Sequence, residues 1–266
     1  MVLLYIPPVQ NLLRREVTAY ASKATGMQIQ VERIDLRFPL NLLVRGVEVI
    51  QQPDTLLSLE SLNVRVQAWP LLKGKVEVDE VTLSQVAVNS ANLIEGMQIK
   101  GVLGRFFLQS HGVDLSNETA VVNRTELSDT HIQLLMTDTT TTPKDTTASA
   151  PVNWKVNLHQ LKLKNVSFGM KLPADSMKMA AYIGEATIDD AKADLKNQFY
   201  GLKQFLLSGA SASYDTGEAQ PSEGFDASHM AVRNIRIGLD SLLYEGRNMN
   251  AVIREITMEE RSGLSI

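Results

Sequence analysis

From Gly26 onward the chain alternates apolar and polar residues with a period of two. Ile29 and Val31 set one parity, then Ile34, Leu36 and Phe38 take the other, which predicts a bulge or bend near Glu32 and Arg33. The habit continues in Val47 and Val49, Leu57 and Leu59, Leu62 with Val64 and Val66, and Val76 and Val78. Val81 and Leu83, then Val86 and Val88, extend it, with polar residues between. Pro53-Asp54 and Lys73-Gly74-Lys75 fall between strands as hairpin connections. Strands of this kind form an antiparallel meander with one apolar and one wet face. The second half repeats the pattern in Val156, Leu158, Leu161, Leu163, Val166 and Phe168, then from Met230 to Ile237 and from Ile253 to Met258. Residues Leu195 to Leu207 fit a helix or a strand, and their strand neighbours favour the strand.

Before Gly26 the period is that of a helix. Val9, Leu12, Leu13, Val17, Tyr20, Ala21 and Ala24 share one face, Pro7-Pro8 stands in front and Gly26 behind. The segment 9–26 is therefore expected to be an amphipathic helix that caps one end of the sheet, although its apolar face would also suit a membrane surface. Met1 to Ile6 is apolar but too short to span a bilayer, which takes about 20 residues. It reads as a hydrophobic lead-in or as the remnant (1–8) of a truncated anchor.

A short pattern recurs along the strands: apolar, two mostly polar residues, apolar, any residue, apolar. Its copies are Val44-Arg-Gly-Val47-Glu-Val49, Leu83-Ser-Gln-Val86-Ala-Val88, Leu163-Lys-Asn-Val166-Ser-Phe168, Leu202-Lys-Gln-Phe205-Leu-Leu207 and Val232-Arg-Asn-Ile235-Arg-Ile237. Leu127-Ser-Asp-Thr130-His-Ile132 is a weaker one. Asp54, Asp175 and Asp240, each followed by Thr or Ser, serve as hairpin cues. Near-even spacing predicts a quasi-repetitive sheet that grows along one axis. Thr137 to Pro151 and Tyr214 to Ser228 are polar and read as loops. The first divides the chain into a β segment at 27–136 and another at 152–266.

Composition narrows the chemistry. The 266 residues are 44% apolar, which rules out a disordered tail, and the absence of cysteine rules out disulfides, thiolate zinc sites and thiol nucleophiles. A net charge of -4 without a basic run argues against nucleic acid as a partner. Gly96 to Gly101 has the first glycine spacing of a phosphate loop, but Val102 stands where the lysine belongs. His111, His131, His159 and His229 lack metal-binding spacing, and Asp189-Asp190 are strand neighbours that point to opposite faces. Asn117, Asn123 and Asn165 head glycosylation-type triplets, a pattern common by chance. No catalytic residue, metal site or cofactor follows from these patterns, and nothing argues for an enzyme. The apolar face must be covered by a second sheet, giving a sandwich, or curl into a trough shared with a ligand. With few aromatics, a trough would suit acyl chains better than sugars.

Leu3-Leu-Tyr-Ile-Pro-Pro-Val-Gln-Asn-Leu-Leu, the helix ending at Gly26, Val31-Glu-Arg-Ile-Asp-Leu-Arg-Phe-Pro and Gly46-Val-Glu-Val resemble the N-terminal region of TamB-like proteins. Asp54-Thr-Leu-Leu, Leu71-Leu-Lys-Gly-Lys-Val and Val81-Thr-Leu-Ser-Gln-Val-Ala-Val extend the likeness to about residue 90. These are inner-membrane subunits of the translocation and assembly module, in the AsmA-like group, here of the Bacteroidetes type. The resemblance implies a mainly β protein: an elongated curled antiparallel sheet, the β-taco or repeating β-groove. It also implies one N-terminal membrane anchor and a periplasmic body that carries phospholipid acyl chains between inner and outer membranes. A debated role in assembling or secreting outer-membrane proteins with a barrel partner comes with it. The short anchor and the end at Ile266 then make the chain an N-terminal fragment. The groove is expected to be lined by Val47, Val49, Leu57, Leu59, Val64, Val66, Val76, Val78, Val86 and Val88, with the inward parity left open by the bulges. An extracellular adhesin or scaffold sandwich is the alternative from another class.

Overall fold

A computed structural model describes residues 7–67, 69, 77–90, 93, 96–114, 117–137, 153–217, 228–246 and 248–260. Met1–Ile6, Val76, the Lys73–Lys75 turn and most of the two polar loops lie outside the described residues. Helix α1 (Pro7–Thr25) is followed by β1 (Gln28–Arg37), β2 (Asn41–Gln51), β3 (Asp54–Val66), β4 (Val78–Asn89), β5 (Met97–Asp114) and β6 (Thr119–Met136). The second half holds β7 (Lys155–Leu172), β8 (Met177–Asp194), β9 (Phe199–Leu202), β10 (Gln204–Asp215), β11 (His229–Glu245) and β12 (Asn248–Glu260). All twelve strands belong to one extended, curled sheet, in chain order except that the short β9 bridges β8 and β11 beside the main path.

The helix ends as its sequence requires. Gly26, at φ +71°, donates its N–H to the Ser22 carbonyl, and only a residue free of Cβ strain takes that geometry cheaply. Helix α1 lies against β1, whose outer edge has no strand partner among the described residues. The Ser22 hydroxyl accepts the Ile29 N–H at 3.0 Å, and Arg14 donates to the Glu32 carbonyl at 2.6 Å. Side chains of the helix thus satisfy backbone groups that an exposed edge would leave open.

Every ladder is antiparallel but one. β6 and β7 run parallel, Thr119 beside Lys155 and Leu135 beside Lys171, where alternation predicts another antiparallel neighbour. The physical reason is the connection between them. A short turn enforces antiparallel pairing, whereas a link longer than a dozen residues lets the chain return to the level at which β6 begins. Other expectations also shift. Leu195–Leu207 becomes a turn followed by β9 and the start of β10, and Asp240 sits inside β11, at a register irregularity rather than a hairpin. Asp175 does lie in the β7–β8 turn.

The recurring sequence pattern has a backbone cause. Its third residue has a left-handed φ in five copies: Gly46 at +58°, Gln85 at +50°, Asp129 at +52°, Asn165 at +53° and Asn234 at +52°. Such a residue turns its N–H and C=O to opposite sides of the strand, so the alternation of side chains restarts with the other parity. The copy at Leu202 is not one of these. Its place in β10 is taken by Leu207-Ser-Gly-Ala210-Ser-Ala212, with Gly209 at φ +61°. Each partner strand carries two non-lining residues at the same level, so register continues across the line: Val47 faces Leu59 on one side and Arg45 faces Ser61 on the other. The line crosses the sheet from β1 to β11. Gln85 is exposed and pays the left-handed cost with nothing in return, so Gln85→Gly is expected to raise stability by about 1 kcal/mol. A thermal melt that moves down would contradict the assignment.

Candidate apolar trough and outward cavities

The parity switch keeps one face apolar along the whole length of each strand. On one side of the line, Ile34, Val44, Leu62, Leu83, Phe106 and Leu127 face one another in succession, and the row runs on through Leu163, Ala186, Leu207, Ile237 and Ile256. On the other side Val31, Val47, Leu59, Val86, Leu103, Thr130, Val166 and Ile183 do the same. Between the two lies an unbroken outward row of polar residues from Arg33 and Arg45 to Glu185 and Ser208.

Burial follows the line. Ile34, Leu59, Thr130, Ala186 and Ala210, which flank it, are buried, while the next row out opens to solvent: Val88, Ile132 and Phe168 are 37%, 39% and 40% exposed. Burial that falls from the bend toward this rim, with a half-buried row on the other side, is that of a trough folded along the switch line. No large side chain among the described residues is fully buried, so no second layer closes over the apolar rows. Ten inter-strand spacings of about 4.8 Å make the trough roughly 48 Å long.

Nine of the ten expected lining residues fall on this face, and Val76 lies outside the described residues. Val47 pairs with Leu59, Val49 with Leu57, Leu59 with Val86 and Leu57 with Val88. Val64 reaches the same face across the switch, and Val66 faces Val78 beyond it. The expected lining ends at β4, whereas the rows continue to β12. The motif copies at Leu127, Leu163 and Val232 mark that continuation in the sequence. Thr125 and Thr130, both on β6, place hydroxyls among the apolar rows.

The opposite face is polar and holds its own cavities. One of about 870 Å³ spans β5 to β8, β10 and β11. There His131 meets the Ser167 hydroxyl through Nδ1 and Gln133 through Nε2. A second, of about 780 Å³, is lined by His159, Asp190, Lys203 and Phe199 among others. His159 Nδ1 lies 3.1 Å from the Asp190 carboxylate and Lys203 Nζ 3.7 Å from it. Neither cluster is a catalytic triad: His131 has a hydroxyl without a carboxylate behind it, and His159 bonds a carboxylate without a hydroxyl in front. His229 pairs with Asp215, and His111 with Asn123.

The hydrogen bond to His159, with Lys203 adding, holds the Asp190 carboxyl below its ordinary 3.8. A lowered carboxylate contributes stability that is present above the unfolded value and lost as pH falls through the lower folded one. By NMR, Asp190 is expected to titrate below pH 3.8, and to move back toward it in His159→Ala. An unchanged midpoint in that variant would show that the contact does not form in solution.

Among the described residues no helix is long and apolar enough to cross a membrane, and no cluster of His, Asp or Glu could hold a metal ion. A scan against protein-family models finds no match for this chain, and comparison with curated proteins finds none either.

Proposed function

We propose that this chain is a non-enzymatic segment of a cell-envelope lipid conduit, with a periplasmic body tied to the inner membrane, whose trough carries phospholipid acyl chains toward the outer membrane. The observation that supports this reading most is the uncovered apolar trough. It is continuous over eleven strands and about 48 Å long, against roughly 15 Å for one leaflet of a 30 Å hydrocarbon core. A surface of that extent needs an apolar occupant. The likeness of the first third to TamB-like proteins points the same way. A closed sandwich, which the adhesin alternative needs, has two sheets, and the described strands form one. Photo-reactive residues at Val88 and Phe168 are expected to trap phospholipid in cells. Crosslinks formed only between facing strands would count decisively against the conduit.

A second reading is favoured by β12. Its outer edge pairs with no described strand, and Ile253, Ile256 and Met258 are 56%, 53% and 60% exposed. Such an edge accepts an extended client chain by strand addition, as an outer-membrane assembly module would require. Proline scanning of β12 separates the two: client binding would fall while lipid crosslinking at Val88 persists.

A further inference from the structure

We infer that the 870 Å³ cavity on the outward face binds an anionic amphiphile, whose carboxylate or phosphate is held by Lys171 and Lys178. The inference is independent of the trough, which lies on the opposite face. The volume falls within the range of about 300–1,000 Å³ typical of small-molecule sites.

The floor is set by the register. Gly169 faces Ala180, Ala180 faces Ser213 and Ser213 faces Ala231, so four adjacent strands present their smallest side chains in one outward row. On one side of this floor Ser167 faces Tyr182, and on the other Lys171 faces Lys178 directly. Both rims line the cavity together with Leu135. Tyr182 and Leu135 offer apolar surface at its margins for the body of a ligand.

Charge identifies the occupant. Among the described residues the lining has four cations, Lys100, Lys171, Lys178 and Arg233, against one carboxylate, Asp215, in a chain whose net charge is -4. Arg233 is held by Glu259 at 3.1 Å. Lys178 also lies across from Asp215, but that carboxylate takes the Gly217 N–H at 2.8 Å and His229 at 3.2 Å. The three lysines make no ion pair among the described residues. Like charges directly opposite in an antiparallel pair repel, so an anion between Lys171 and Lys178 would relieve a cost that the fold otherwise carries. An uncharged ligand would leave that repulsion in place.

The test uses the whole chain and dodecyl phosphate with a photo-reactive chain end, sites of labelling being read by mass spectrometry. Labels are expected at the floor, around Ala180 and Ser213. They should fall about tenfold or more in the double variant Lys171→Gln/Lys178→Gln, which replaces exposed side chains and should fold normally. Ala180→Leu, which fills the floor and leaves both lysines, should weaken labelling as well. Dodecanoate should compete, since it shares the charge and the chain, and inorganic phosphate should compete far less. Floor labelling that survives the double variant, or that an equivalent dodecanol probe matches, would overturn the inference. So would labels confined to Val49, Leu57 and Val88, an outcome that leaves the trough reading intact. Floor labels without trough labels would uphold the cavity and weigh against the conduit.

Discussion

Replacing Gly104 with valine is expected to destabilise the protein by about 3 kcal/mol or more, because the new side chain would enter the switch line where strands press together. A Cβ at this position would lie 2.9 Å from the Asp129 carbonyl oxygen, 3.2 Å from that of Ser128 and 2.7 Å from the Asp129 Cβ. Two of those atoms are backbone and cannot swing aside. Gly46→Val should cost a comparable amount for a different reason. Its φ of +58° carries about 1–2 kcal/mol of left-handed strain for a side chain, before the 2.7 Å approach to the Glu32 Cβ is counted. Urea midpoints measure both, with Gln85→Gly on the same line as a control of opposite sign. A Gly104→Val variant with an unchanged midpoint would mean that β5 and β6 do not approach so closely at the bend.

The switch line also shows what local pattern can and cannot reveal. The break of parity at Glu32-Arg33 and the pattern at Val44, Leu83, Leu163 and Val232 were readable because a period of two permits no silent insertion: each slip moves the apolar positions to the other face. The third residue of the pattern is Gly, Gln, Asp or Asn. Glycine and asparagine are at home at positive φ, while Gln85 gives no composition cue, so its backbone is visible only through its place in the line. The false copy at Leu202 arose because apolar residues on either side of the β9–β10 break imitate the spacing. The parallel β6–β7 pair was hidden as well, since alternation carries no strand direction. The outward cavity was the least legible feature. Lys100, Lys171, Lys178 and Arg233 come from four strands, of which only β7 and β8 are consecutive, and each by itself reads as a solvated strand residue.

A second large effect should separate the walls of the trough from its floor. Leu59 is 9% exposed, between Val47 and Val86, so Leu59→Asp gives up a buried side chain worth about 1.5–3 kcal/mol and adds the cost of burying a carboxylate. A loss of more than about 4 kcal/mol is expected, enough to unfold a domain of ordinary stability. Phe168 is 40% exposed and faces Ile132, itself 39% exposed, so an aspartate there keeps its water. Phe168→Asp should cost only about 1–2 kcal/mol and leave the sheet folded. Its effect on an acyl chain is another matter, because a charge on the wall of an apolar path must be dehydrated whenever a chain passes. Lipid crosslinking from Val88 should then drop by about tenfold or more while circular dichroism stays that of the parent. If crosslinking is undiminished in a folded Phe168→Asp protein, acyl chains do not run past β7, and the trough serves some purpose other than conduction.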